Sequence, residues 1–149
     1  MLDIDEMGQE EIQGFLQQVG YGHLGYIHEG KPYVIPMYYY LEDLDIYLLT
    51  TEGMKTHDID ANPEICLQVE EIHDPLHWRS VIVTGRAERL TLQQDIDRAM
   101  QFIKERNPTL SPAINRTWID SWGRAEVIAI YRIYQGKMSG RTTDGVSSR

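Results

Sequence analysis

The stretch Leu49-Thr50-Thr51-Glu52-Gly53-Met54-Lys55 puts two hydroxyls, a glycine and a lysine where a β-prone run gives way to a helix-prone one. A helix N-terminus carries unpaired N–H groups and a positive partial charge, so such a turn can hold a phosphate. Lys55 would supply formal charge, and Thr50 or Thr51 a neutral hydrogen bond. The same residues also make an ordinary strand-to-helix turn with a lysine in water, and short motifs of this kind recur without a ligand.

A second group of residues has different chemistry. Pro32-Tyr33-Val34-Ile35-Pro36-Met37-Tyr38-Tyr39-Tyr40 places two prolines in one β-prone run. Pro36 removes a ladder donor, which restricts the strand to an edge or an interruption. Backbone groups freed there could meet the polar rim of a flat ring. The three tyrosines offer an aromatic surface that suits packing and interfaces as well as a ligand. Trp78-Arg79-Ser80 opens another strand. Ser80 could contact a ligand and Arg79 could pair with an acid or a phosphate, or the charges there simply face water. His23 lies in an early strand, where an imidazole could donate a proton near neutral pH or make an ordinary hydrogen bond. His73 and His77 have a spacing that binds metal on a helix. Pro75 between them opposes a helix, so no metal site is expected.

Composition narrows the partners. At 149 residues the chain suits one domain over 1–149 with a real core. Its net charge of -9, with no cluster of Lys and Arg, argues against nucleic acid and anionic membrane, yet allows a local basic pocket for one small phosphate ligand. The lone Cys66 excludes a disulfide framework and a Cys-rich zinc site. Within Ile65-Cys66-Leu67 it reads as a buried thiol. An acidic N-terminus without an apolar signal core, and no run of membrane-spanning length, make a cytoplasmic location the expectation.

These groups need elements to position them. Residues 1–19 read as an N-terminal helical segment, with Ile12, Phe15, Leu16 and Val19 on one stripe and Gly20 ending it. Strands are expected at Tyr21 to His28, Tyr33 to Leu41 and Asp45 to Thr51, joined by short turns as an antiparallel meander. Met54 to Asp60 predicts a short helix. Glu64 to Ile72 and Trp78 to Leu90 predict two more strands, with a bend allowed at Gly85. A helix over Thr91 to Arg106, stopped by Asn107-Pro108, precedes a mixed stretch with Trp118 and Trp122 on one helical turn. A last strand spans Ala125 to Met138, and residues 142–149 read as a flexible tail. Six strands, mostly antiparallel, with helices inserted between them, make a mainly β fold with flanking helices: a small closed barrel.

Taken together and in this order, Gly30-Lys31-Pro32-Tyr33-Val34-Ile35-Pro36-Met37, the Thr51 to Lys55 turn, Asn62-Pro63-Glu64-Ile65-Cys66-Leu67-Gln68-Val69 and Trp78-Arg79-Ser80-Val81-Ile82-Val83-Thr84-Gly85-Arg86 resemble the pyridoxamine 5'-phosphate oxidase-like FMN-binding proteins. The branch that includes nitroimidazole-resistance proteins is the most similar. The resemblance implies a six-stranded antiparallel split β-barrel that forms a homodimer with FMN at the interface. It implies that Pro36, Met37 and Tyr38 face the isoalloxazine, largely through backbone, and that Leu49, Thr50, Thr51, Met54 and Lys55 line the ribityl-phosphate end. Ser80 would reach the ring or ribityl, Lys137 would come from the partner chain, and His23 falls near the flavin. The oxidase places an arginine beside the phosphate lysine; here Met54 stands there, and the oxidase's C-terminal substrate-binding Arg and His have no counterpart. The expected activity is transfer of hydride or electrons from a reduced nicotinamide to a small-molecule substrate. Flavin storage without turnover and a haem-binding split barrel, with His23 as its axial candidate, are the alternatives.

Overall fold

A computed structural model describes residues 3–110 and 128–143. In chain order the elements are β1 (Ile4–Glu6), α1 (Gln9–Val19), β2 (Tyr21–His28), β3 (Lys31–Glu42), β4 (Asp45–Thr51), α2 (Met54–Ala61), β5 (Glu64–Asp74), β6 (His77–Arg89), α3 (Gln93–Leu110), β7 (Ile128–Ile133) and β8 (Lys137–Thr143). All strand pairings are antiparallel. The strand order β6-β5-β2-β3-β4-β7 closes on itself through the β6–β7 pairing, giving a ring of six. Strands β8 and β1 extend the sheet outward from β6. This is the split barrel that the sequence predicts.

The split has a local cause. Strand β3 pairs β2 over Lys31 to Tyr38 but β4 only over Tyr39 to Glu42. Strand β6 pairs β8 over Arg79 to Thr84 and β7 only over Ala87 to Arg89. Each of these long strands therefore belongs to two sheet segments. On β6 the change falls at Gly85, where an added Cβ would lie 2.8 Å from Cγ2 of Ile133. Only a residue without a side chain permits that approach. On β3 the change falls between Tyr38 and Tyr39. Among the described residues, the second edge of β3 over Lys31 to Tyr38 has no ladder partner, consistent with an edge strand that tolerates proline.

Two-residue turns set the meander. Glu29 and Gly30 both have positive φ, the geometry that joins tightly paired strands. The side-chain period of two sends Leu24, Leu67 and Val83 into the barrel at 0% exposure. Each such burial contributes roughly 1.5–3 kcal/mol. Helix α1 closes one end of the barrel with Ile12, Phe15 and Leu16. There the Arg79 guanidinium stacks 4.7 Å above Phe15 and pairs with Glu71 at 2.6 Å. A second cluster, Tyr40, Leu49, Ala99 and Ile130, lies outside the ring beneath α3.

Several expectations need correction. The run read as one strand to Met138 is two strands, β7 and β8, separated by a turn with positive φ at Gln135. Residues 1–19 contain a short strand before the helix, because β1 finds a partner edge on β8. Thr142 and Thr143, expected in the tail, are fully buried on β8. They carry no apolar signal; cross-strand pairing with Ile4 and Asp5 fixes them. Helix α3 runs through Asn107-Pro108 to Leu110. Cys66 is half-buried and faces outward rather than into the core, since its neighbours Ile65 and Leu67 take the inward positions. Trp118 and Trp122 lie outside the described residues.

Candidate functional site

The outward face of the sheet carries most of the residues singled out above. Cross-strand pairing aligns Pro36, His23, Gln68, Ile82 and Ser139 in one row over five strands. Val34, Gly25, Cys66, Thr84 and Lys137 form the next row. On the other side, Tyr38 opposes Tyr21, and their rings meet edge to face at 5.4 Å. His23 also meets Tyr21 edge to face, at 5.9 Å. This face is open: Val34 is 67% exposed and Ile82 45%. Apolar residues presented together on one outward surface mark interaction sites.

Of the three tyrosines, only Tyr38 belongs to this face. Tyr39 points inward, donating its hydroxyl to the Leu16 carbonyl at 2.7 Å. Tyr40 is buried under α3, which holds its phenol well above the usual range. The Met37 side chain lies in the core, so only its backbone is offered to a ligand at the edge of β3.

Ser80 sits near one end of the face. Its Oγ accepts a hydrogen bond from Nε2 of Gln68 at 3.2 Å, and the same amide nitrogen donates to Oε1 of Glu70 at 2.9 Å. Beside Ser80 opens a cavity of about 460 Å³ lined by Glu6, Trp78, Ile82, Ser139 and Arg141, among others. Small-molecule pockets span roughly 300–1,000 Å³. Gln68 was not singled out in the sequence. Its position in the outward parity of β5, directly between His23 and Ile82, was the available signal.

The hydroxyl-and-lysine turn folds as expected, but with fewer accessible groups. Leu49 packs under α3 and Thr50 is buried in the barrel, so neither side chain reaches the surface. Thr51, Met54 and Lys55 do reach it. The Thr56 hydroxyl accepts from the Gly53 N–H at 3.0 Å and donates to the Gly53 carbonyl at 2.8 Å, locking the entry to α2. Lys55 is half-buried, and no carboxylate among the described residues pairs with it. One turn along α2 from Lys55, Asp58 accepts from His28 Nδ1 at 2.8 Å and ties the helix to β2.

Arg89, at the end of β6, bonds Asp60 and Glu52 and so lies against α2. Ser80 is nine residues earlier on the same strand. At ~3.3 Å per residue about 30 Å of strand separates Arg89 from Ser80. His73 and His77 flank the β5–β6 turn, each against a carboxylate, Glu71 at 3.4 Å and Asp74 at 2.8 Å. No described helix is long and apolar enough to cross a membrane.

Comparison with known proteins supplies the lineage. The family model for pyridoxamine 5'-phosphate oxidase matches residues 8–142. The chain belongs to this family. An uncharacterized protein of Rhizobium meliloti (strain 1021) is 31% identical over 88 residues, 59% of this chain and 58% of the relative, so the chain spans little more than half of that protein's length. Among solved structures, a FAD-binding protein from Mesorhizobium loti is similar with a TM-score of 0.72 at 25% identity, covering 97% of this chain and 99% of that one. A Bacteroides thetaiotaomicron protein described for 5-nitroimidazole antibiotic resistance shares the fold at TM-score 0.72 and 16% identity, covering 96% and 91% of the two chains. The flavocytochrome Anf3 of Azotobacter vinelandii does so at 0.69 and 20%, covering 94% and 70%.

Proposed function

We propose that this family member binds FMN in a groove completed by a second copy of the chain, and acts as an oxidoreductase that passes hydride or electrons from a reduced nicotinamide to a small acceptor. One observation carries the reading. A phosphate-type turn at Thr51 to Lys55 and an open outward face carrying Tyr38, His23, Ile82 and Ser80 are both present in one chain, and that face has no layer over it among the described residues. Two chains packed through the outward face would bring the Lys55 turn of one to the Ser80 region of the other. The relatives that bind FAD, by their own names, share the whole fold.

The residues present suit such a group. Lys55 has no competing carboxylate partner among the described residues, the first turn of α2 offers N–H groups, and Thr51 adds a hydroxyl. The unpaired edge of β3 at Pro36 to Tyr38 offers backbone to a ring's polar rim. Ser80, oriented by Gln68, adds one directed hydroxyl, and Lys137 on the same face adds a cation. Tyr38, Tyr21 and Trp78 would exclude water, and His23 would hold a proton close to the ring face. A bound flavin would supply the hydride- and electron-carrying chemistry.

The deciding measurement is the absorbance spectrum and mass of freshly purified protein. A flavin spectrum with dimer mass by light scattering is expected. A monomer holding stoichiometric flavin would remove the two-chain groove. Reduced nicotinamide should bleach the flavin faster than it bleaches free FMN; an equal rate would leave a storage protein. Lys55→Ala should weaken FMN binding about tenfold, roughly 1.4 kcal/mol.

A further inference from the structure

The segment from Glu52 to Asp60 is acidic. It carries Glu52, Asp58 and Asp60 against Lys55 as its one lysine or arginine. Three carboxylates beside one ammonium would repel a phosphate dianion rather than attract it: two unit charges 4 Å apart interact by ~4 kcal/mol at an effective dielectric of 20. A phosphate turn in this position therefore needs something to silence the acids.

Arg89 is placed to do so. Its Nη1 donates to Oδ2 of Asp60 at 2.9 Å, and its Nη2 donates to Oε1 of Glu52. The guanidinium thus bridges a residue just before α2 and one near its end. The Tyr131 hydroxyl donates to the other oxygen of Asp60 at 2.8 Å, and Arg89 lies over the Tyr131 ring at 5.9 Å. Asp60 is consequently held from both sides and fixed to β7. Asp58 is engaged separately by His28. Lys55 remains as the cation on this segment without a carboxylate partner among the described residues.

We infer that Arg89 is a positioning residue that converts an acidic helix into an anion site. It draws Glu52 and Asp60 to its own side of α2, so that Lys55 and the first-turn N–H groups face a phosphate unopposed. Arginine's fork reaches both carboxylates at once; lysine's single ammonium cannot hold two acids that bracket a helix. The inference rests on the reading of a phosphorylated flavin given above, and it deepens that reading by assigning a residue that never touches the ligand.

The test compares FMN with riboflavin, which lacks the phosphate. Arg89→Gln should weaken FMN binding at least tenfold and leave riboflavin within twofold. The double variant Arg89→Gln/Glu52→Gln should recover part of the lost FMN affinity, because one of the two acids that Arg89 neutralises is gone while Asp60 keeps its bond from Tyr131. Arg89→Lys should fall between wild type and Arg89→Gln. Equal loss of FMN and riboflavin, or no recovery in the double variant, would overturn the assignment in favour of a purely structural clamp. If the wild type binds neither flavin, the cofactor reading fails. Inorganic phosphate then decides the clamp: it should raise the thermal midpoint of wild type and not of Arg89→Gln, and equal or absent effects would reject it.

Discussion

The two faces of one sheet make the instructive comparison in this molecule. On the inward face, Leu24, Leu67 and Val83 stand in one cross-strand row and are completely buried. One residue along each strand, His23, Gln68 and Ile82 stand in the adjacent row and are half-buried or exposed. The backbone is the same and the pleat alone separates them. The inward row is satisfied within one chain by apolar neighbours and by α1. The outward row mixes an imidazole, an amide and an exposed isoleucine, with no layer over it among the described residues. A complete face serves stability, whereas an incomplete one is where partner and ligand chemistry belong.

Three measurements would break or sharpen that contrast. The largest expected effect is on the inward row: Leu67→Ala should cost about 2–5 kcal/mol in denaturant unfolding. Ligand affinity of the folded fraction should be unchanged, and a selective loss of affinity would show that the inward face is not purely structural. On the outward row, Ile82→Glu should convert dimer to monomer in light scattering and abolish flavin retention. The stability of each chain should move by only about 0.5 kcal/mol, as for surface substitutions generally. A dimer unaffected by this charge would place the interface elsewhere. The smallest effect concerns the end of the barrel under α1. The hydrogen bond from Arg79 holds the Glu71 carboxyl below its ordinary value of 4.5, against an opposing effect of burial. A depressed acid contributes stability that is present above its ordinary value and is lost as pH falls through the folded one. The wild type should therefore exceed Glu71→Gln by about 1 kcal/mol at pH 7. That margin should shrink below pH 4.5, while a constant margin would mean the ion pair contributes nothing.

The sequence was informative where a local rule governs. Period-two alternation put Ile65, Leu67 and Val69 on one face, and positive-φ turn residues set the meander. The proline at 36 marked an edge strand because a missing N–H cannot sit inside a sheet. The candidate site was less legible. Tyr38, Tyr39 and Tyr40 are chemically identical, yet one faces outward, one enters the barrel and one lies under α3. Leu49 and Thr50 looked like ligand contacts, but β4 is covered on both sides, by the barrel core and by α3. Gln68, though inside the Asn62 to Val69 run, was given no role, and Arg89 stood outside every motif; their partners Ser80, Glu52 and Asp60 lie 12, 37 and 29 residues away in the chain.

Residue order and type by themselves determined the strands from Tyr21 to Arg89, the short helix behind a hydroxyl-and-lysine turn, and the ring architecture, but not β1 or the break between β7 and β8, because periodicity and turn chemistry act over a few neighbours. Only the tertiary structure decided that Lys55 stands clear while Glu52 and Asp60 are held by an arginine from β6, and that Gln68 on β5 meets Ser80 on β6. Those outcomes depend on strand pairing and barrel closure, which bring distant residues together through geometry that no local pattern encodes.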